Sequence, residues 1–159
     1  MAFSDYIEEC LGSSGVPVSV TGTTTETTLA QVTAKVGTVE PGDSIEVSHI
    51  FSVTNDASSK TLRCYVGSGS TTYVQGVTTI VQGVRITKGY IRNATTTLHG
   101  FSAGSANGVG TSTNSSTTGA GNWNSNQNIR LTVALADSAD IGTLEAYVIK
   151  HNRTPIPTS

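Results

Sequence analysis

Strict two-residue alternation across two consecutive stretches is what most limits the folds open to this chain. In DSIEVSHIFSVT (43–54), Ile45, Val47, His49, Phe51 and Val53 share one face, Glu46, Ser48, Ser52 and Thr54 take the other, and Ile50 is the exception. Successive side chains of a strand point to opposite sides, so this pattern specifies a strand with one apolar face. NDASS comes next as a polar corner in which Asn55 and Asp56 readily bond their own backbone. KTLRCYVG then puts Leu62, Cys64 and Val66 inward and Thr61, Arg63 and Tyr65 outward. A hairpin with one apolar face is half of something, and a second sheet must cover it.

The same reasoning finds strands in VPVSV (16–20), LAQVTAKV (29–36), TYVQGVTTIVQ (72–82), VRITKGYIR (84–92), NIRLTVALA (128–136) and TLEAYVIKH (143–151). NIRLTVALA is the cleanest, with Ile129, Leu131, Val133 and Leu135 opposed to Arg130, Thr132, Ala134 and Ala136. VEPGDS (39–44) predicts a type II turn, because Pro41 presets φ and Gly42 supplies the positive φ. About eight strands with frequent turns predict an all-β, antiparallel two-sheet sandwich. Eight strands in two Greek keys make a jelly roll, with an immunoglobulin-like sandwich as the other architecture open. The expected helix is short, over 4–11, capped by Ser4 or Asp5 and stopped at Gly12, with GSSG (12–15) as a hinge. The chain thus divides into an N-terminal arm or short helix, 1–15, and one sandwich domain, 16–159. Within the latter, 99–128 is almost pure Gly, Ser, Thr and Asn and reads as a long polar loop that hides at most one weak strand near Val109.

Composition narrows the function. Charged residues are 13% of the 159, about half the usual ~25%, so the outer surface is neutral and polar. Residues 1–58 hold eight acidic side chains against Lys35 alone, net −7, and residues 59–159 are net +5. Either the halves carry complementary patches, or their strands interleave and the asymmetry vanishes in space; the second is expected. A sequence pI near 5.8 with no dense basic run argues against nucleic acid as a partner. No run of about 18 apolar residues exists to span a membrane. The first fifteen residues lack the basic and apolar regions of a secretory signal, so Cys10 and Cys64 are expected as free thiols, though a bridge between them stays open. For the same reason the sequons at Asn93, Asn114 and Asn152 are expected to be chance matches.

No motif carries chemistry convincingly. GFSAG (100–104) matches G-x-S-x-G, but Gly, Ser and Asn come after it, where a nucleophile elbow needs a helix. His49, His99 and His151 lie at no metal-ligand spacing, and His49, alternating with core residues, reads as a hydrogen-bonded interior histidine. There is no phosphate-binding glycine loop and no cofactor site. The candidate contact residues are Tyr6, Ile7, Cys10 and Leu11, which would form an apolar stripe on the N-terminal helix, and Trp123, which either pins its own loop or meets a ligand or subunit.

TTETTLA (24–30), IFSVTNDASSKTLRCYVG (50–67) and NIRLTVALADSADIGTLEAYVI (128–149) resemble a recurrent pattern in small β-sandwich virion proteins of tailed bacteriophages. There a Thr-rich strand leads to one ending in S-x-T-N, a corner with K-T-L-R comes next, and an A-D-S-A-D-like turn precedes L-E-x-Y. The pattern spans most of 20–150 and is similar to that of jelly-roll capsid decoration, or cement, proteins; related folds serve in fibres and receptor-binding tips. The resemblance implies a non-enzymatic virion protein, made in the host bacterial cytoplasm. Its expected partners are the major capsid protein and itself, as a homo-oligomer with a trimer favoured. The alternative is a tail-associated receptor binder contacting a glycan. No catalytic residue, metal or cofactor comes with it, and the 99–128 loop and the arm depart from the pattern.

Overall fold

The computed structural model describes residues 7–66, 72–78, 84–94, 97–102, 115–120 and 124–153, the strands between 72 and 120 by backbone course and pairing alone. All regular elements in it are strands, arranged in two antiparallel sheets. They are β1 (Ile7–Ser14), β2 (Val18–Val20), β3 (Thr27–Ala34), β4 (Ser44–Val53), β5 (Lys60–Val66), β6 (Thr72–Thr78), β7 (Val84–Ala94), β8 (Thr97–Ser102), β9 (Ser115–Ala120), β10 (Gln127–Leu135) and β11 (Gly142–Arg153).

The larger sheet runs β1-β11-β4-β7-β8-β9, and β2 continues the line of β1 along the same edge of β11. The smaller runs β3-β10-β5-β6. Between them lies one apolar core. Ile45, Val47, Phe51 and Val53 of β4 and Leu144 and Ile149 of β11 face Leu62, Cys64 and Val66 of β5 and Ile129, Leu131, Val133 and Leu135 of β10. The inward residues are those the alternation selects, and His49 sits among them, 2% exposed. The turn before β4 is also as expected: Gly42 has φ +98° and the Asp43 amide donates to the Glu40 carbonyl at 3.0 Å.

Of the helix expected over 4–11, residues 4–6 lie outside the described residues, and over 7–11 a strand forms instead. Residues 7–14 are strand β1, which pairs with β11 from Ile7–Arg153 to Ser14–Tyr147. The register skips Leu11, so that Cys10 opposes Lys150 and Gly12 opposes Ile149. On the edge strand of the other sheet, Leu131 opposes Ala30 and Thr132 opposes Thr28, which skips Leu29. An extra residue in a strand re-aims its side chain and bends the edge. Both skipped leucines turn inward, Leu29 into the core and Leu11 against it, and together they help close the seam between the two sheet edges. The bends also make those edges poorer templates for stray strands.

Gly12 marks how closely the edges meet. A Cβ at this position would come within 2.6 Å of the Val32 Cγ2 methyl. Valine in a strand has little rotamer freedom to yield. Gly12→Ala is therefore expected to cost about 1–3 kcal/mol by overpacking. Adding Val32→Ala should recover part of the loss, as read by urea unfolding of the single and double variants.

The polar stretch 99–128 takes in the end of β8 and all of β9; β8 pairs with β7 and with β9, extending the larger sheet. Val109 lies outside the described residues.

Candidate functional site

Four polar assemblies tie the strands together, and each joins segments far apart in sequence. At the corner between β4 and β5, the Lys60 side chain is fully buried and ion-paired to Asp56 and, at 3.4 Å, to Asp140. The Ser58 hydroxyl lies within hydrogen-bond reach of both carboxylates, and the Ser58 amide donates to Asp56 at 2.8 Å. Burial pulls the Lys60 ammonium down, but hydrogen bonds and charge from Asp56 and Asp140 outweigh it and hold it above its ordinary value. The hydrogen bond from Lys60, with help from Ser58, holds the Asp56 carboxyl well below the usual range. The cluster fastens the NDASS corner to the turn that precedes β11.

On the outer face of the smaller sheet, Glu26 gathers three donors. Arg63 pairs with it at 2.7 Å, the Tyr65 hydroxyl donates at 3.1 Å, and the Thr132 hydroxyl donates as well. Partial burial pushes Glu26 up, yet these hydrogen bonds and the Arg63 charge bring it below the ordinary carboxylate value. Tyr65 points outward, as the alternation requires, but is only 9% exposed, because the Arg130 guanidinium stacks 4.9 Å from its ring centre. At the far end of the larger sheet, His151 contacts Asp43 and faces Glu9, and Lys150 pairs with Glu8 at 2.9 Å. On its outer face the register of β11 against β4 skips Glu145, whose carboxylate accepts from Ser52. Beside it Ile50, Ala146 and Val148 line a shallow apolar trough with Ser48.

These pairs account for the charge asymmetry. β11, from the basic half, lies between β1 and β4 of the acidic half. Glu8–Lys150 and Glu26–Arg63 bridge the halves directly.

The sequence-selected contact residues do not form one stripe. In β1, Ile7 is 50% exposed and Cys10 is an exposed free thiol, whereas Leu11 packs against the core. Tyr6 and Trp123 lie outside the described residues. Cys64 is a buried free thiol. Ser102 ends β8, opposite Ser115 of β9, and the residues that come after it lie outside the described residues. Among the described residues, no group of three or more His, Cys, Asp or Glu side chains is placed to hold a metal ion. Nor is any helix among them long and apolar enough to cross a membrane.

His49 is interior as expected, but its Nδ1 has no hydrogen-bond partner among the described residues; its ring meets Phe51 edge-on with centres 5.2 Å apart. Burial pushes its pKa down to about 4. The unfolded chain therefore binds one more proton than the folded one between about pH 4 and 6.5, and stability falls with acid across that window. Acidifying from pH 7 to 5 should cost about 2 kcal/mol through this group. A His49→Leu variant should lack that component in chemical unfolding at the two pH values.

The residues that organise these clusters are only partly visible in the sequence. Lys60 keeps the parity of Leu62, Cys64 and Val66, and His151 that of Ile149; phase alone would have placed both inward. Comparison with known proteins adds no family: no protein-family model matches the chain, and no curated protein matches it.

Proposed function

We propose that this chain is a non-enzymatic structural protein of a tailed-bacteriophage virion, a jelly-roll capsid decoration or cement protein that binds the shell as a homo-oligomer, with a trimer favoured. The observation that carries the reading is where the motifs of the resemblance fall. Glu26 of TTETTLA meets Arg63 of KTLR, and Lys60 of the same motif meets Asp56 of the NDASS corner and Asp140 of ADSAD. Residues that define the resemblance are therefore the clamps that hold the sheets and turns in register. That is what a pattern specific for shape requires.

Strand order supports the jelly-roll part. Count β1 with β2 as one strand and set the β8-β9 hairpin aside. The eight strands then divide between the sheets as first-eighth-third-sixth and second-seventh-fourth-fifth. This is the order left by rolling up one long antiparallel hairpin, which makes two Greek keys. The polar skin of few charges suits a particle component, because contacts made through it depend little on salt.

Residues 7–14 are paired into the sheet, so shell contact in this reading runs through the exposed side of β1, at Ile7 and Cys10, and the adjoining sandwich end. Labelled electron microscopy of virions carrying a tagged copy tests it. Many copies spread over the head are expected, with a trimer mass in solution by light scattering. A few copies confined to the tail tip would overturn the decoration role and favour the glycan-binding alternative.

A further inference from the structure

We propose that His151 is a proton-operated latch on the N-terminal edge strand. Its ring is fully buried and lies between two carboxylates on different elements. Nε2 is 2.8 Å from Asp43 Oδ2, in the turn before β4. Asp43 Oδ2 also accepts the Glu40 amide, 2.8 Å away. Nδ1 faces Glu9 Oε2 of β1 at 3.7 Å and has no hydrogen-bond partner among the described residues.

The two ends of the ring make unequal demands. Asp43 accepts and cannot donate while ionised, so Nε2 carries the hydrogen and Nδ1 of the neutral ring is left as an acceptor. That lone pair points toward a second acceptor, Glu9, which is repulsive. A proton on Nδ1 turns this contact into a charge-assisted hydrogen bond, so the imidazolium satisfies both carboxylates at once. The other charged groups nearby do not cancel the effect. Glu8 of β1 is taken by Lys150, which stands on the other face of β11 opposite Glu46 of β4, and β3 offers no charge over Thr27–Ala34.

Glu9 belongs to the part of β1 before the Leu11 irregularity, where Ile7 to Cys10 are all exposed. Among the described residues, backbone pairing to β11 and Glu8–Lys150 are the other contacts that hold this half-strand. Histidine changes charge between about pH 5 and 8, where both carboxylates of an ordinary pair stay ionised. On acidification through that range the latch closes and Ile7–Cys10 is held; on alkalinisation it opens and the edge of β11 becomes available. The interior His49, shifted down by burial and with no ion pair to a carboxylate among the described residues, answers acid in the opposite sense, through global stability.

Hydrogen exchange of the full chain tests this, read by mass spectrometry at pH 5.5 and pH 8 and corrected for intrinsic rates. Since Glu9 is partly exposed, protection of the 7–10 amides should be about two- to fivefold higher at the lower pH. Glu9→Gln, a surface change that leaves the core intact, should abolish the difference while the central β4 and β10 amides exchange as before. Equal protection at both pH values, or the same pH dependence in Glu9→Gln, would overturn the latch.

Discussion

Phe51→Ala is expected to lower the free energy of unfolding by about 3–5 kcal/mol, the range for removing a buried phenylalanine. Phe51 is wholly buried on the inner face of β4, with Leu144 opposite it on β11 and the second sheet above. Phe51 is paired on both sides, to Leu144 of β11 and Val84 of β7, but the β11 register skips Glu145 beside Leu144, so the walls of the new cavity can relax in part and the cost sits near the middle of that range. His49 adds to it, because its ring loses the edge-on partner that fills one side of its site. A domain of this size has on the order of 5–15 kcal/mol in total, so the variant should unfold at a much lower urea concentration with an unchanged slope. Phe51→Leu keeps most of the volume and should lose far less. A loss below about 1 kcal/mol for the alanine variant would mean that β4 is not the centre of the core.

The inner faces of β4, β5 and β10 were legible because an antiparallel strand that is apolar on one side writes its burial into residue parity. Gly42 and Pro41 marked the turn for the same local reason. What parity cannot record is pairing at a distance. Ile7, Cys10 and Leu11 have helix-like spacing, and nothing in IEECLGSS itself names β11 as its partner. The skipped Leu11 also breaks the alternation that would have announced a strand. β8 and β9, TLHGFS and SSTTGA, have no sustained apolar alternation at all, and it is pairing to β7 and to each other that makes them strands. The polar clusters were legible in phase but not in partner. Lys60 and His151 both extend an inward series by one step, at the point where a sandwich opens to solvent, and each finds its carboxylates on other segments.

That placement makes Lys60 the most consequential polar residue. Lys60→Met is expected to destabilise the protein by about 3 kcal/mol, the low end of what breaking a buried ion pair costs. Asp140 is 2% exposed at its side chain and would lose its lysine partner while staying buried, whereas Asp56 is 41% exposed and can return to water. The loss therefore comes from one stranded carboxylate and not from two, which is why the low end applies. The double variant Lys60→Met, Asp140→Leu removes the stranded charge together with its partner, and replacing a whole buried pair by apolar groups is often close to neutral. It should regain most of the stability in chemical unfolding at neutral pH. If the double variant is as weak as the single one, the lysine is holding the corner through its own packing and not through the charge of Asp140. The Asp56–Ser58 turn would then fasten the NDASS corner without help from the segment that precedes β11.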